Sequence, residues 1–155
     1  MSKFKITGSI LGKPKLFKQI ESLEKEMKSG SIRAVQESVF LIHGIAVESI
    51  QDNASGTPQV RYTNGRKRVV LASKPGSPPN TDTGRLVQSI KFDFQKGGLI
   101  GRVGTNLKYG AWLEFGTKTV AARPWLSAAI RVASKAVGEI FKRNLNDSVK
   151  DTAKK

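Results

Sequence analysis

A chain of 155 residues is one ordinary domain's worth, long enough to bury a core without disulfide staples, and with no cysteine it excludes disulfides and thiolate metal sites alike. Twenty-seven Lys and Arg against twelve Asp and Glu give a net charge of +15, a self-repulsion that asks for a polyanionic or acidic neighbour, nucleic acid being the common one. No apolar run approaches the roughly 18 residues of a membrane span, and the lysine-flanked Ile10-Leu11 pair is too short for a signal peptide, so a soluble protein made in the cytoplasm is expected, with no membrane partner.

In chain order, Phe4 and Ile6 alternate with lysines and suggest a short strand or an ordered arm. Leu16, Ile20, Leu23 and Met27 recur at helical spacing, with Pro14 suited to the first turn, and predict a helix over about 14–28. Ser29-Gly30-Ser31 reads as a break, with Ser31 able to cap a second helix over about 32–51 that carries Ile32, Val35, Val39, Ile42, Ala46 and Ile50. So short a connection predicts two antiparallel helices. Asn64-Gly65 between Val60, Tyr62 and Val69, Leu71 is a strong hairpin signal, and the arm is expected over about 59–72. The prolines from Pro75 to Pro79 make a stiff loop, and Thr81–Gln88 has room for one or two helical turns. Ile90, Phe92 and Phe94 then alternate, turn at Gly97-Gly98 and return from Leu99 to Gly104, a register that sets Phe94 against Gly101 and Phe92 against Val103, with both phenylalanines needed in the core. Leu126, Ile130, Ala133, Val137, Ile140 and Phe141 predict a long helix over about 124–146, with a polar tail fraying from about 147.

This order predicts a single α+β domain over 1–155, a mostly antiparallel sheet packed against two N-terminal helices and one long C-terminal helix. The residues offer little chemistry. His43 is the one histidine, set in a helix where a packed or surface role is the ordinary one. The carboxylates Glu21, Glu24 and Glu26 read as a solvated face, and Gly12-Lys13 lacks the rest of a phosphate loop. No catalytic, metal-binding or cofactor-binding residue is indicated, and the chain is expected not to be an enzyme.

Between Lys74 and Ala129 a series of blocks follows in order. Pro75-Gly76-Ser77-Pro78-Pro79 leads to Asp82-Thr83-Gly84-Arg85-Leu86 and Ser89-Ile90; Val103-Gly104-Thr105-Asn106 precedes Tyr109-Gly110-Ala111; Leu113-Glu114-Phe115-Gly116-Thr117 and Ala122-Arg123-Pro124-Trp125-Leu126 close the run. In order and spacing these blocks resemble the small neck, or tail-completion, proteins of long-tailed bacteriophages. The resemblance implies a structural virion part at the head–tail junction, assembled as a homo-oligomeric ring that joins tail to head and lets DNA pass, with neighbouring neck and tail proteins as partners and no cofactor. It also implies residence in the virion after assembly in the host cytoplasm. The other class consistent with the charge is a cellular nucleic-acid-binding structural protein, ribosomal or nucleoid-like.

The same blocks have local physical readings. Asp82 or Thr83 can cap the short helix, and Gly104 and Gly116 stand where positive φ is expected. Phe115 and Trp125 read chiefly as core, whereas Tyr109 and Trp112 flank Gly110-Ala111 and read as a subunit or partner interface. Glu114, Phe115 and Arg123 complete that candidate segment, with a Glu114–Arg123 pairing conceivable within or between subunits. In the hairpin, an Asn64-Gly65 turn sets Arg61 opposite Arg68 and gathers Arg61, Arg66 and Arg68 on one face beside Lys67. No acid lies between Asn53 and Thr81, so relief of this like-charge pairing must come from outside the segment, for example from non-specific contact with DNA phosphates or from an acidic partner loop.

Overall fold

The computed structural model describes residues 13–153; the expected Phe4–Ile6 strand lies outside them. The elements run α1 (Lys13–Gln51), β1 (Thr57–Thr63), β2 (Arg66–Ala72), α2 (Arg85–Ser89), β3 (Ile90–Gln95), β4 (Ile100–Thr105), α3 (Lys108–Phe115) and α4 (Leu126–Ala153). The α+β class holds. The strands form two separate antiparallel ribbons, β1–β2 and β3–β4, instead of one sheet.

The two expected N-terminal helices are one helix of 39 residues, α1, continuous through Ser29-Gly30-Ser31. An interior glycine costs a helix about 1 kcal/mol, and here packing outweighs that cost. A Cβ on Gly30 would stand 2.1 Å from Ser148 Oγ and 2.9 Å from the Asn144 carbonyl of α4, so only glycine admits this crossing. The flanking serines are also used within the helix. Ser31 donates to the Met27 carbonyl at 2.8 Å, and Ser29 accepts from Arg33 at 3.0 Å. Ser31 therefore caps nothing.

α4 runs antiparallel along α1. Arg143 pairs with Glu37 and Ser148 lies against Gly30, which makes this the most extensive contact in the molecule. The helix continues to Ala153, past the expected fraying point at 147, because Asn144 and Ser148 are buried against α1 and hold its last turns. Ser148 turns its hydroxyl back to the Asn144 carbonyl at 2.9 Å.

The register of β3–β4 pairs Phe92 with Val103 and Phe94 with Gly101, as the turn at Gly97-Gly98 predicts. The depth differs from expectation. Phe92 is 41% exposed, and Phe94 is half-buried. They form an aromatic rim with Phe40 and His43 of α1; Phe40 meets Phe92 edge-on at 5.1 Å, and His43 meets Phe92 at 5.3 Å. The space over Gly101 is taken by α1, because a Cβ there would meet Val39 at 2.2 Å. The buried core lies one step away, where Ala46 and Ile50 of α1 meet Leu86, Ile90, Trp125 and Ala129.

Candidate interaction site

The blocks from Pro75 to Leu126 are scattered in sequence but converge at the C-terminal end of α1. The proline loop is tied down on both sides. Gly76 N–H donates to the Ala122 carbonyl at 2.9 Å, Asn80 donates to the carbonyls of Ser55 and Leu71, and Thr81 donates to the Ile50 carbonyl. The 117–123 loop closes over it, with Arg123 donating through Nε to the Ser73 carbonyl at 3.2 Å. Between the loops, the β1–β2 hairpin, α2 and α3 lies a cavity of about 520 Å³. Its floor includes Ile50, Val70, Leu86 and Leu113, and Arg61, Arg85 and Arg123 stand at its edge.

The Tyr109–Phe115 segment lies in the helix α3, and its residues divide by face. Tyr109 is half-buried against the core, and burial raises its hydroxyl pKa against the lowering pull of Arg85. Trp125 is buried and its indole N–H donates to the Gly110 carbonyl at 3.1 Å. Trp112 is exposed, as an interface residue requires. Phe115, expected mainly in the core, is 81% exposed. It sits at the last position of α3, where Gly116 (φ +77°) turns the chain away before anything can cover the ring. Gly104 lacks the expected positive φ.

Glu114 does not pair with Arg123. It is buried, and its Oε2 accepts the N–H groups of Trp125 (2.8 Å) and Leu126 (2.9 Å) while Oε1 accepts that of Ser127 (3.0 Å). One carboxylate from α3 thus accepts three N–H groups at the start of α4 and faces its positive end. Burial pushes this carboxyl up, but the hydrogen bonds from Ser127, Leu126 and Trp125 outweigh it and hold its pKa below the ordinary value. The sequence held a signal for this. The first turn of α4 contains no acid of its own, and Pro124 stands just before the helix, so the cap had to come from elsewhere.

The hairpin has the expected register, Arg61 opposite Arg68 and Tyr62 opposite Lys67, around an Asn64-Gly65 turn with both residues at positive φ. The like-charge pair is relieved from outside the segment but within the chain. Asp82 Oδ2 lies 3.1 Å from Arg61, and Asp82 Oδ1 lies 3.0 Å from Arg68, whose Nη2 also donates to the Asp82 carbonyl at 2.8 Å. The Asp82 Oδ1 approach is an ion pair whose angle falls outside hydrogen-bond geometry. Asp82 is therefore the clamp of the hairpin and not a helix cap; Gly84 precedes α2 with no side-chain cap. Arg66 and Lys67 at the tip have no ion pair among the described residues. Of the candidate polyanion-facing set, Arg61 and Arg68 are thus ion-paired with Asp82, and Arg66 and Lys67 are not.

No group of His, Cys, Asp or Glu among the described residues is arranged to hold a metal, and no described helix is long and apolar enough to cross a membrane. Compared with known families, residues 15–116 match the model of the HK97-gp10-like family, described as "Bacteriophage HK97-gp10, putative tail-component". The match takes in α1 through α3 and ends at Gly116, before the Ala122–Leu126 block. No curated protein and no solved structure matches the chain.

Proposed function

The chain belongs to the HK97-gp10-like family of bacteriophage tail components, and from that premise we propose that it is a non-enzymatic part of the virion that completes the neck, forming a ring that joins tail to head and lets DNA pass. The family match over α1–α3 carries this reading. The geometry supports it by what the blocks from Pro75 to Leu126 do here: they spend their polar groups tying loops together and capping α4, while Trp112, Phe115 and the hairpin tip remain outside for neighbours. A net charge of +15 suits a place beside DNA or acidic proteins. The family match favours this reading over a cellular nucleic-acid-binding protein.

The test is to image the purified protein by negative stain, alone and with tails from particles lacking it. Rings, or particles capping one tail end, are expected. Particles lacking the protein should accumulate as separate heads and tails. Joined, infectious particles without it would reject the reading.

A further inference from the structure

The cavity between the proline loop, the hairpin, α2 and α3 is not explained by the tying of loops or the capping of α4. Its volume of about 520 Å³ lies within the roughly 300–1,000 Å³ of ligand-binding pockets. Ile50, Val70 and Leu86 beneath it are buried, so the floor is apolar and fixed by the packing of the core. Polar groups stand around that floor, among them Tyr109, Thr83 and Gln59.

The charged residues that line the cavity are Arg61, Asp82, Arg85 and Arg123, three cations and one acid. Asp82 is already engaged, at 3.1 Å from Arg61 and 3.0 Å from Arg68. Glu114, next to Leu113 in the wall, is taken up by the N–H groups at the start of α4. Arg85 and Arg123 have no carboxylate partner among the described residues, and the Arg123 guanidinium donates to the carbonyls of Ser73 and Ala121. Two cations from two different elements therefore face the cavity with no acid to balance them.

An apolar floor beside uncompensated cations is complementary to a partner that brings an apolar side chain and a carboxylate together. DNA brings phosphates to the arginines and nothing apolar to the floor. A lipid chain covers the floor and leaves the polar groups of the wall without hydrogen-bond partners. A peptide supplies both kinds of side chain on one backbone. Residues 1–12 of this chain hold Lys3 and Lys5 and no acid, so they do not supply the carboxylate.

We propose that this cavity docks an acidic peptide segment of a neighbouring virion protein. An apolar side chain of the segment sits on the floor of Ile50 and Leu86, and its carboxylates meet Arg85 and Arg123. For the identity of the partner the proposal rests on the reading of this chain as a virion part, and it does not require a ring. One such segment covers less than a standard interface, so it binds weakly alone and firmly where an assembly presents many copies.

The test pans the full-length protein against random octapeptides displayed in many copies on beads, at raised salt to screen its general charge. Enriched sequences should set an apolar residue beside Asp or Glu. The best of them, synthesised with a fluorophore, should lose about tenfold in affinity for Arg85→Gln, the loss expected for one charge-assisted hydrogen bond. Thr83→Trp should block the same peptide by filling the cavity while leaving every charge in place. Both positions are exposed, so both variants should melt with the wild type. Acidic sequences without an apolar residue, indifferent to Thr83→Trp, would show mere attraction to a surface of net charge +15 and would overturn the proposal. So would a screen that enriches nothing, or peptides indifferent to both substitutions. A short DNA duplex or a fatty acid that binds more tightly than any selected peptide, and is weakened by Arg85→Gln, would give the cavity to that ligand instead. None of these outcomes touches the head–tail joining that tests the virion reading, so the two can fail separately.

Discussion

The molecule contains two antiparallel ribbons of similar length that are used differently. β3–β4 lies on α1 so closely that Gly101 has no room for a side chain, and its aromatic residues share a rim with Phe40 and His43. β1–β2 is held by the Asp82 clamp, by Asn80 and by Val70 at its base, and Val60, Tyr62 and Val69 on its outer face are half exposed or more. Both have a period-two pattern and a glycine turn, so local sequence cannot tell them apart. What separates them is what long-range packing brings to each face. The first ribbon is part of the fold, and the second is surface available to a neighbour.

The largest effect should come from filling Gly101. In Gly101→Val the side chain would drive into Val39 and Val35, and urea unfolding should show a loss of about 3 kcal/mol. Val69→Thr on the other ribbon should move the midpoint by less than about 0.5 kcal/mol. Equal losses would erase the distinction between them.

Next, Glu114→Ala leaves buried N–H groups at the start of α4 without a partner and should cost about 2–3 kcal/mol. Its acid dependence follows from the sign of its shift. The folded pKa lies below the unfolded one, so the stabilisation is full above the ordinary value of 4.5 and is lost as pH falls through the folded value. Glu114→Gln should flatten that part of a pH–stability curve measured by thermal melting.

A smaller effect is expected at the aromatic rim. Phe92→Ala should cost about 1–2 kcal/mol, roughly half the penalty for a buried phenylalanine, because 41% of the residue is already in water. A loss as large as a core deletion would place the rim inside the core after all.

A change in global stability smaller than at the rim should follow Asp82→Asn, below about 1 kcal/mol for partly exposed ion pairs. Its effect should be local. Amide hydrogens of β1–β2 should exchange faster while those of β3–β4 stay unchanged. Uniform acceleration in both ribbons would deny the hairpin its separate clamp.

Much of the fold was legible in the sequence because it is local. Asn64-Gly65 and Gly97-Gly98 set both registers, and the stripe from Leu126 to Phe141 announces α4. The failures came where a residue answers to a partner far along the chain. Gly30 looks like a stop until Ser148 is brought against it. Asp82 looks like a cap until the hairpin folds back over it, although the need for an acid from outside Asn53–Thr81 was visible. Glu114 resembles half of an ion pair until the uncapped start of α4 is placed beside it. Phe115 has core composition and lies outside because Gly116 ends its helix there. Of the candidate residues, the exposure of Trp112 was readable from residue type alone, whereas how far α4 runs along α1 needed the structure.

The continuity of α1 has a mechanical consequence. Thirty-nine residues in one helix make a rod of about 58 Å, with the hairpin following its C-terminal end. Such a rod acts as a gauge. The spacing between what packs at its two ends is set by a residue count and not by the give of a loop. Deleting seven residues from the stretch before Lys25 would shorten the rod by about 10 Å and leave the crossing of Gly30 with Ser148 in place.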